Sequence, residues 1–174
     1  MAKIQKAEGV ISLKLLPDEL RKRFVGSLNY QAPDANDQWI YKKMVVDHDV
    51  SSPNIFATSD EYMGVTSSDA LVLAKPVKYI VITHTGYSNT SESIITNAGV
   101  LITFTGANPD WNSDDDDATP IFLAPGDTIA LKVPISQADD WRARTCRITD
   151  NIPSANGSSG DNALIEIIAL IDKE

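Results

Sequence analysis

Residues 121–133 read IFLAPGDTIALKV, two short apolar runs separated by Pro125, Gly126 and Asp127. Proline presets φ at the first central position of a β-turn, and glycine accepts the positive φ that the second position of a type II turn needs. Beyond the turn, Ile129, Leu131 and Val133 alternate with Ala130 and Lys132. That period of two belongs to a strand with one face buried and one wet. The stretch describes β architecture and carries no catalytic chemistry of its own.

The same pattern extends on both sides. Residues 77–85 (VKYIVITHT) and 100–105 (VLITFT) are rich in β-branched residues and stop at Gly86 and Gly106, and residues 70–74 (ALVLA) stop at Lys75 and Pro76. Each predicts a strand. Residues 141–148 (WRARTCRI) predict an exposed strand with Arg142 and Arg144 on one side, and residues 150–162 (DNIPSANGSSGDN) carry flexible-loop chemistry. Residues 163–171 (ALIEIIALI) also fit a helical stripe through Leu164, Ile167, Ile168 and Ile171. Their short span and isoleucine content favour a strand buried on both faces apart from Glu166.

Toward the N-terminus, residues 9–15 alternate as a first strand. Residues 17–25 predict a short helix: Pro17 suits its first position, Asp18 and Glu19 its positive end, and Arg21, Lys22 and Arg23 its negative end. Leu20 and Phe24 would pack on the sheet, and Gly26 would close the helix. Residues 27–37 read as a polar loop. Residues 38–46 read as a strand with Trp39, Tyr41 and Val45 on one face and Ile40, Met44 and Val46 on the other. Residues 47–68 are a long excursion of unassigned order. The expected fold is therefore all-β, a β-sandwich or jelly roll of about eight to ten short antiparallel strands with one short N-terminal helix. A chain of 174 residues reads as one domain able to bury its own core.

Composition narrows the function classes. Cys146 is the only cysteine, which excludes an intrachain disulfide and a cysteine-based zinc cage. The first residues lack the apolar core of a signal peptide, and no apolar run approaches a membrane span. A cytoplasmic site of synthesis and no membrane partner are expected. The net charge of −9 argues against a nucleic-acid partner. It is unevenly placed: residues 1–45 hold eight Lys/Arg against five Asp/Glu, and residues 46–174 hold seven against nineteen. Either a basic end docks on an acidic neighbour, or the asymmetry is solvated surface charge.

Several groups invite chemistry. In the loop at residues 107–119, Asp110, Asn112, Asp114 and Asp116 alternate like calcium ligands within an acidic run that extends to Asp117. Asp115 stands where the sharp-turn glycine belongs and Ile121 where the final glutamate belongs, so solvated negative charge is the expected role. His48 lies between Asp47 and Asp49, a metal ligand or general base only if other groups converge on it. His84 shares a strand face with Ile80 and Ile82 and is expected at the rim with one nitrogen satisfied. Arg142, Arg144 and Arg147 around Trp141 read either as a partner-binding stripe or as a charged edge strand that resists aggregation. Trp39, Trp111 and Trp141 neither support nor exclude a sugar platform. Nucleophile-elbow, phosphate-loop, dinucleotide and zinc-protease motifs do not occur in the chain. No catalytic, cofactor or metal residues are assigned, and no enzyme is expected.

The order VKYIVITHTG (77–86), VLITFTG (100–106), IFLAPGDTIALKV (121–133) and ALIEIIALIDKE (163–174) resembles the small β-sandwich virion proteins of tailed bacteriophages, of the capsid decoration or head-stabilising type. The resemblance covers about half the chain and rests on strand order and turn placement. It implies a protein without active site or cofactor that is assembled in the host cytoplasm. As a dimer or trimer it would bind the outside of the major capsid protein lattice and stabilise it. Residues 1–26, with Lys3, Lys6 and Arg21 to Arg23, are then the expected basic docking segment. The alternative is a carbohydrate- or receptor-binding β-sandwich module of a tail or cell surface.

Overall fold

The computed structural model describes residues 6–11, 26–31, 37–49, 55, 77–104, 120–132, 141–150 and 152–172. Ten strands form among these residues: β1 (Lys6–Ile11), β2 (Gly26–Gln31), β3 (Asp37–Val46), β4 (Val77–His84), β5 (Gly99–Thr103), β6 (Ile121–Leu123), β7 (Thr128–Lys132), β8 (Arg142–Thr149), β9 (Ile152–Asn156) and β10 (Ala163–Asp172). The chain divides into two compact units, Met1–Asp37 and Gln38–Glu174. In the first, β1 and β2 form an antiparallel pair with Ile11 opposite Gly26 and Lys6 opposite Gln31.

That pair corrects the reading of residues 27–31 as part of a polar loop. Leu28 and Tyr30 alternate with Ser27 and Asn29, a strand period masked by two residues that favour turns. The helix expected at residues 17–25 and the strand at 70–74 lie outside the described residues, as do residues 12–15 of the first expected strand.

The second unit holds two four-stranded antiparallel sheets, ordered β3-β10-β4-β7 and β6-β5-β8-β9. The turn at residues 124–127 joins them. Asp127 N–H donates to the Ala124 carbonyl at 2.9 Å, and Gly126 has φ +90°. The Asp127 carboxylate in turn accepts the Ala124 N–H at 2.8 Å. β6 and β7 do not pair across this turn: β6 pairs with β5 and β7 with β4, so the proline–glycine corner carries the chain from one sheet to the other.

The apolar faces of both sheets contribute to one buried cluster. The first sheet supplies Ile40, Met44, Val46, Ile80, Ile82, Ile165 and Ile167, and the second supplies Val100, Ile102, Leu123 and Ala143. Ile40, Met44 and Val46 thus occupy the face that their alternation predicts. Val77 reaches the same cluster despite its odd number, because the β10–β4 ladder shifts between Leu170 and Ile171 and leaves Lys78 as the extra residue. β10 is an inner strand in which residues 163–165, 167, 169 and 170 are buried, but Ile168 is 42% exposed where burial was expected.

The exit of β3 also crosses between sheets. The Asp47 carbonyl accepts the Thr145 N–H at 2.8 Å, the His48 carbonyl accepts Arg144 Nε–H at 2.9 Å, and Ile55 N–H donates to the Trp141 carbonyl at 2.8 Å. Lys42, on the core-facing side of β3, is buried and donates from Nζ to the Ile55 carbonyl at 3.0 Å.

Two further expectations change. β8 lies inside its sheet, between β5 and β9, so it is neither an exposed nor an edge strand. Residues 152–156, expected within a loop, are the edge strand β9. Pro153 obscured it: proline cannot donate to a ladder and is tolerated only at an edge or bulge. The β8–β9 register shifts between Arg147 and Ile148, where Ile148 meets Pro153.

On the outward face of this sheet the side chains close over Gly99. A Cβ on Gly99 would stand 2.5 Å from Phe122 Cε2 and 3.0 Å from Cys146 Sγ. Gly99→Ala is expected to lower the unfolding free energy by about 1–3 kcal/mol through overpacking, read from the urea midpoint at unchanged m-value.

Candidate binding surface at the loop end

The ends of β4 and β8 and the starts of β5, β9 and β10 meet at one end of the second unit, with the β6–β7 turn beside them. The β4–β5 loop, residues 85–98, is the largest described element there. Thr85 fastens its first residue to β10: both its N–H and its Oγ1–H donate to the Leu164 carbonyl at 3.0 Å. Leu164 N–H returns a bond to the Tyr87 carbonyl at 2.6 Å. Tyr87 and Ile95 form a one-pair bridge, Ser88 N–H donates to the Ile94 carbonyl, and Thr96 N–H donates to the Gly86 carbonyl.

Asn89 organises the tip. Its Oδ1 accepts the Ser93 and Ile94 N–H groups at 3.1 and 3.2 Å, and its Nδ2 donates to the Ser91 and Ser93 hydroxyls. Glu92 takes the left-handed conformation, with φ +53°, and its carboxylate receives the Lys43 ammonium. Lys43 also reaches Glu166 Oε1 at 3.1 Å, beside a 2.8 Å hydrogen bond donated by Tyr41 Oη–H. Glu166, the one charge in residues 163–171, therefore receives two donors from β3. The Tyr41 hydrogen bond, followed by Lys43, holds its carboxyl below the usual range, and the two carboxylates push the Lys43 ammonium up.

This bonding presents two adjacent isoleucines to solvent: Ile94 is 59% and Ile95 78% exposed. Ile152, at the start of β9, is 62% exposed. Thr149 pairs with Ile152 across a two-residue connection in which Asp150 has φ +54°, the positive φ that tight hairpins require. Between these loops lies an open cleft of about 600 Å³, lined by Ile94, Ile95, Ala98 and Ile148, by serine and threonine hydroxyls, and by Arg147 and Asp161. The Asp161 carboxylate accepts Ser158 N–H at 2.8 Å and Arg147 Nε–H at 3.3 Å. These bonds, the Ser158 N–H first, hold its carboxyl below the usual range. The 157–162 turn seats closely on β8: a Cβ on Gly157 would stand 2.8 Å from the Thr145 carbonyl oxygen.

The residues singled out in the sequence are dispersed. His84 is fully buried, with both ring nitrogens engaged, which corrects its expected rim position. Nε2 donates to the Ala98 carbonyl at 2.9 Å and Nδ1 accepts Gly86 N–H at 3.1 Å. The His48 carbonyl binds Arg144, and the neighbouring Asp47 Oδ1 accepts Asp49 N–H at 2.9 Å, a local Asx turn.

Trp141 and Arg144 are buried and Arg147 is exposed at the cleft rim, so the three arginines and Trp141 do not form one stripe. Burial pushes the Cys146 thiol up to about 12, so it stays protonated at neutral pH. The acidic run at residues 107–119, the Trp39 side chain and the side chains of Lys3, Lys6 and Arg21 to Arg23 lie outside the described residues. Ile94 and Ile95 escaped the sequence reading; their signal was an apolar pair inside a Ser/Thr/Asn run.

Compared with protein-family models, curated proteins and solved structures, the chain matches none.

Proposed function

We propose that this chain is a non-enzymatic structural protein of a tailed-bacteriophage virion, a β-sandwich that decorates the capsid and docks through its loop end. The observation that carries the docking reading is the presentation of Ile94 and Ile95 at a cleft, on a loop held by its own hydrogen bonds. Apolar side chains exposed together mark interaction sites, and a loop already ordered loses little entropy on binding. On a repeating lattice, modest single contacts add by multivalency.

The β-sandwich or jelly-roll reading is supported by the hairpin partners β5–β6 and β8–β9 lying in one sheet while β4 and β7 pair in the other, the sheet-crossing links of two-sheet Greek-key folds. A non-catalytic role is supported by the use made of the reactive groups: both His84 nitrogens bind loop backbone and Cys146 remains a buried thiol. A homo-oligomer and a second docking element in the basic residues 1–26 belong to the same proposal.

The test is co-expression with the major capsid protein of the proposed virion, followed by sedimentation of the assembled particles. The chain is expected to sediment with them at a fixed ratio to capsid subunits and to raise their thermal stability. Absence from washed particles would overturn the reading. Among the described residues the cleft lining holds no aromatic ring, so a sugar platform is not favoured; saturable glycan-array binding would reverse that preference.

A further inference from the structure

We propose that His84 is a proton-sensitive clasp that keeps loop 85–98 in the shape presenting Ile94 and Ile95, and so regulates the docking surface; the regulatory part rests on the docking reading above. The imidazole spans the two roots of the loop. At the first root Nδ1 accepts Gly86 N–H at 3.1 Å, and at the second Nε2 lies 2.9 Å from the Ala98 carbonyl oxygen. A backbone N–H only donates and a carbonyl only accepts, so these partners require the neutral ring with its proton on Nε2. Protonation puts a second N–H on Nδ1, directly facing the Gly86 N–H. The bond at the first root is then lost, while the Ala98 bond persists.

Gly86 is suited to act as the hinge. It has φ +83°, a conformation that costs glycine little, and its carbonyl accepts Thr96 N–H, so movement at this residue passes to the other side of the loop.

The surroundings of His84 favour the neutral ring. Among the described residues, the charged group facing it is Asp127 of the β6–β7 turn, whose carbonyl accepts His84 N–H at 2.9 Å and whose carboxylate favours the imidazolium. From β10 it is paired with Ile165, and at the start of β5 it meets the Ala98 carbonyl, neither of which titrates. Burial outweighs the Ala98 hydrogen bond and Asp127, which both favour the imidazolium, and holds the ring below the usual histidine range.

The sign follows. With the loop open, the ring titrates near its ordinary value of about 6.5; closed, it titrates lower. The clasp is therefore complete above about pH 6.5 and weakens as pH falls toward the closed-state value, by up to about tenfold in the closing constant per pH unit. Asp161 and Glu166 are held below the usual carboxylate range, so they stay ionised across the upper part of that window.

The experiment is amide hydrogen exchange on the full chain from pH 7.5 to 5.0, corrected for intrinsic rate. Protection of residues 86–97 is expected to fall by up to about tenfold per pH unit below about 6.5, with β10 unchanged. In His84→Gln the profile of the loop is expected to be flat. Constant loop protection in the wild-type chain, simultaneous loss from β10, or the same slope in His84→Gln would each overturn the clasp. The wild-type titration decides the question even if His84→Gln does not fold. Particle binding at pH 7.5 separates the two ideas. Undiminished binding by an Ile94→Asp/Ile95→Asp chain overturns the docking reading and leaves the clasp standing. A flat exchange profile with docking intact overturns the clasp alone.

Discussion

Trp141→Ala is expected to lower the unfolding free energy by about 3–5 kcal/mol, the cost of emptying a large buried aromatic site. Trp141 is 1% exposed and belongs to the cluster fed by both sheets, and its ring meets that of Phe104 edge-on with centroids 4.7 Å apart. Phe104 follows β5 and Trp141 precedes β8, so the pair stands where these two strands meet the segment that crosses from β3. Against a total stability of about 5–15 kcal/mol, the loss would leave a marginal fold. Trp141→Phe should lose less, because much of the ring volume remains. Urea unfolding followed by circular dichroism measures both. A loss below about 1 kcal/mol for the alanine variant would mean that the site lies at a surface and that the sheets do not share this core.

The placement of Trp141 marks where sequence reasoning succeeded and where it did not. Strands whose two faces differ in polarity were legible: β3 through Ile40, Met44 and Val46, and β4 through its β-branched run. The type II turn was legible because Pro125 and Gly126 leave few alternatives. Pairing across that turn was not, since a proline–glycine corner looks the same whether the strands it joins share a sheet or leave for different ones. β8 misled because arginine suggests a wet face, whereas buried Arg144 satisfies its Nε–H with the carbonyl of His48, 96 residues earlier in the chain. A partner that distant has no local signal. β9 was hidden by Pro153 and β2 by Ser27 and Asn29, residues whose turn preference tertiary pairing overrides.

The candidate site was less legible than the fold. Its apolar members, Ile94 and Ile95, stand in a polar stretch without alternation, and only the Asn89 bonds and the Tyr87–Ile95 bridge turn that stretch into a projecting loop. His84 was visible as a residue, but its two bonds depend on Gly86 and Ala98 being brought together at the loop roots.

Replacing both Ile94 and Ile95 by aspartate should separate binding from stability. Exposed positions away from the core change stability by about 0.5 kcal/mol or less, and the loop hydrogen bonds of Ile94 use only its backbone. Burying an isoleucine against a partner contributes about 1.5–3 kcal/mol, so losing two costs about a hundredfold or more in affinity, at about 1.4 kcal/mol per decade.

The most direct measurement is the affinity of this double variant and of the wild-type chain for assembled capsid particles at pH 7.5, with melting temperatures taken in parallel. A fall of about a hundredfold or more at an unchanged melting temperature is expected. Equal binding by the two chains, with loss of binding only when residues 1–26 are deleted, would contradict it and move the docking surface to the N-terminal unit.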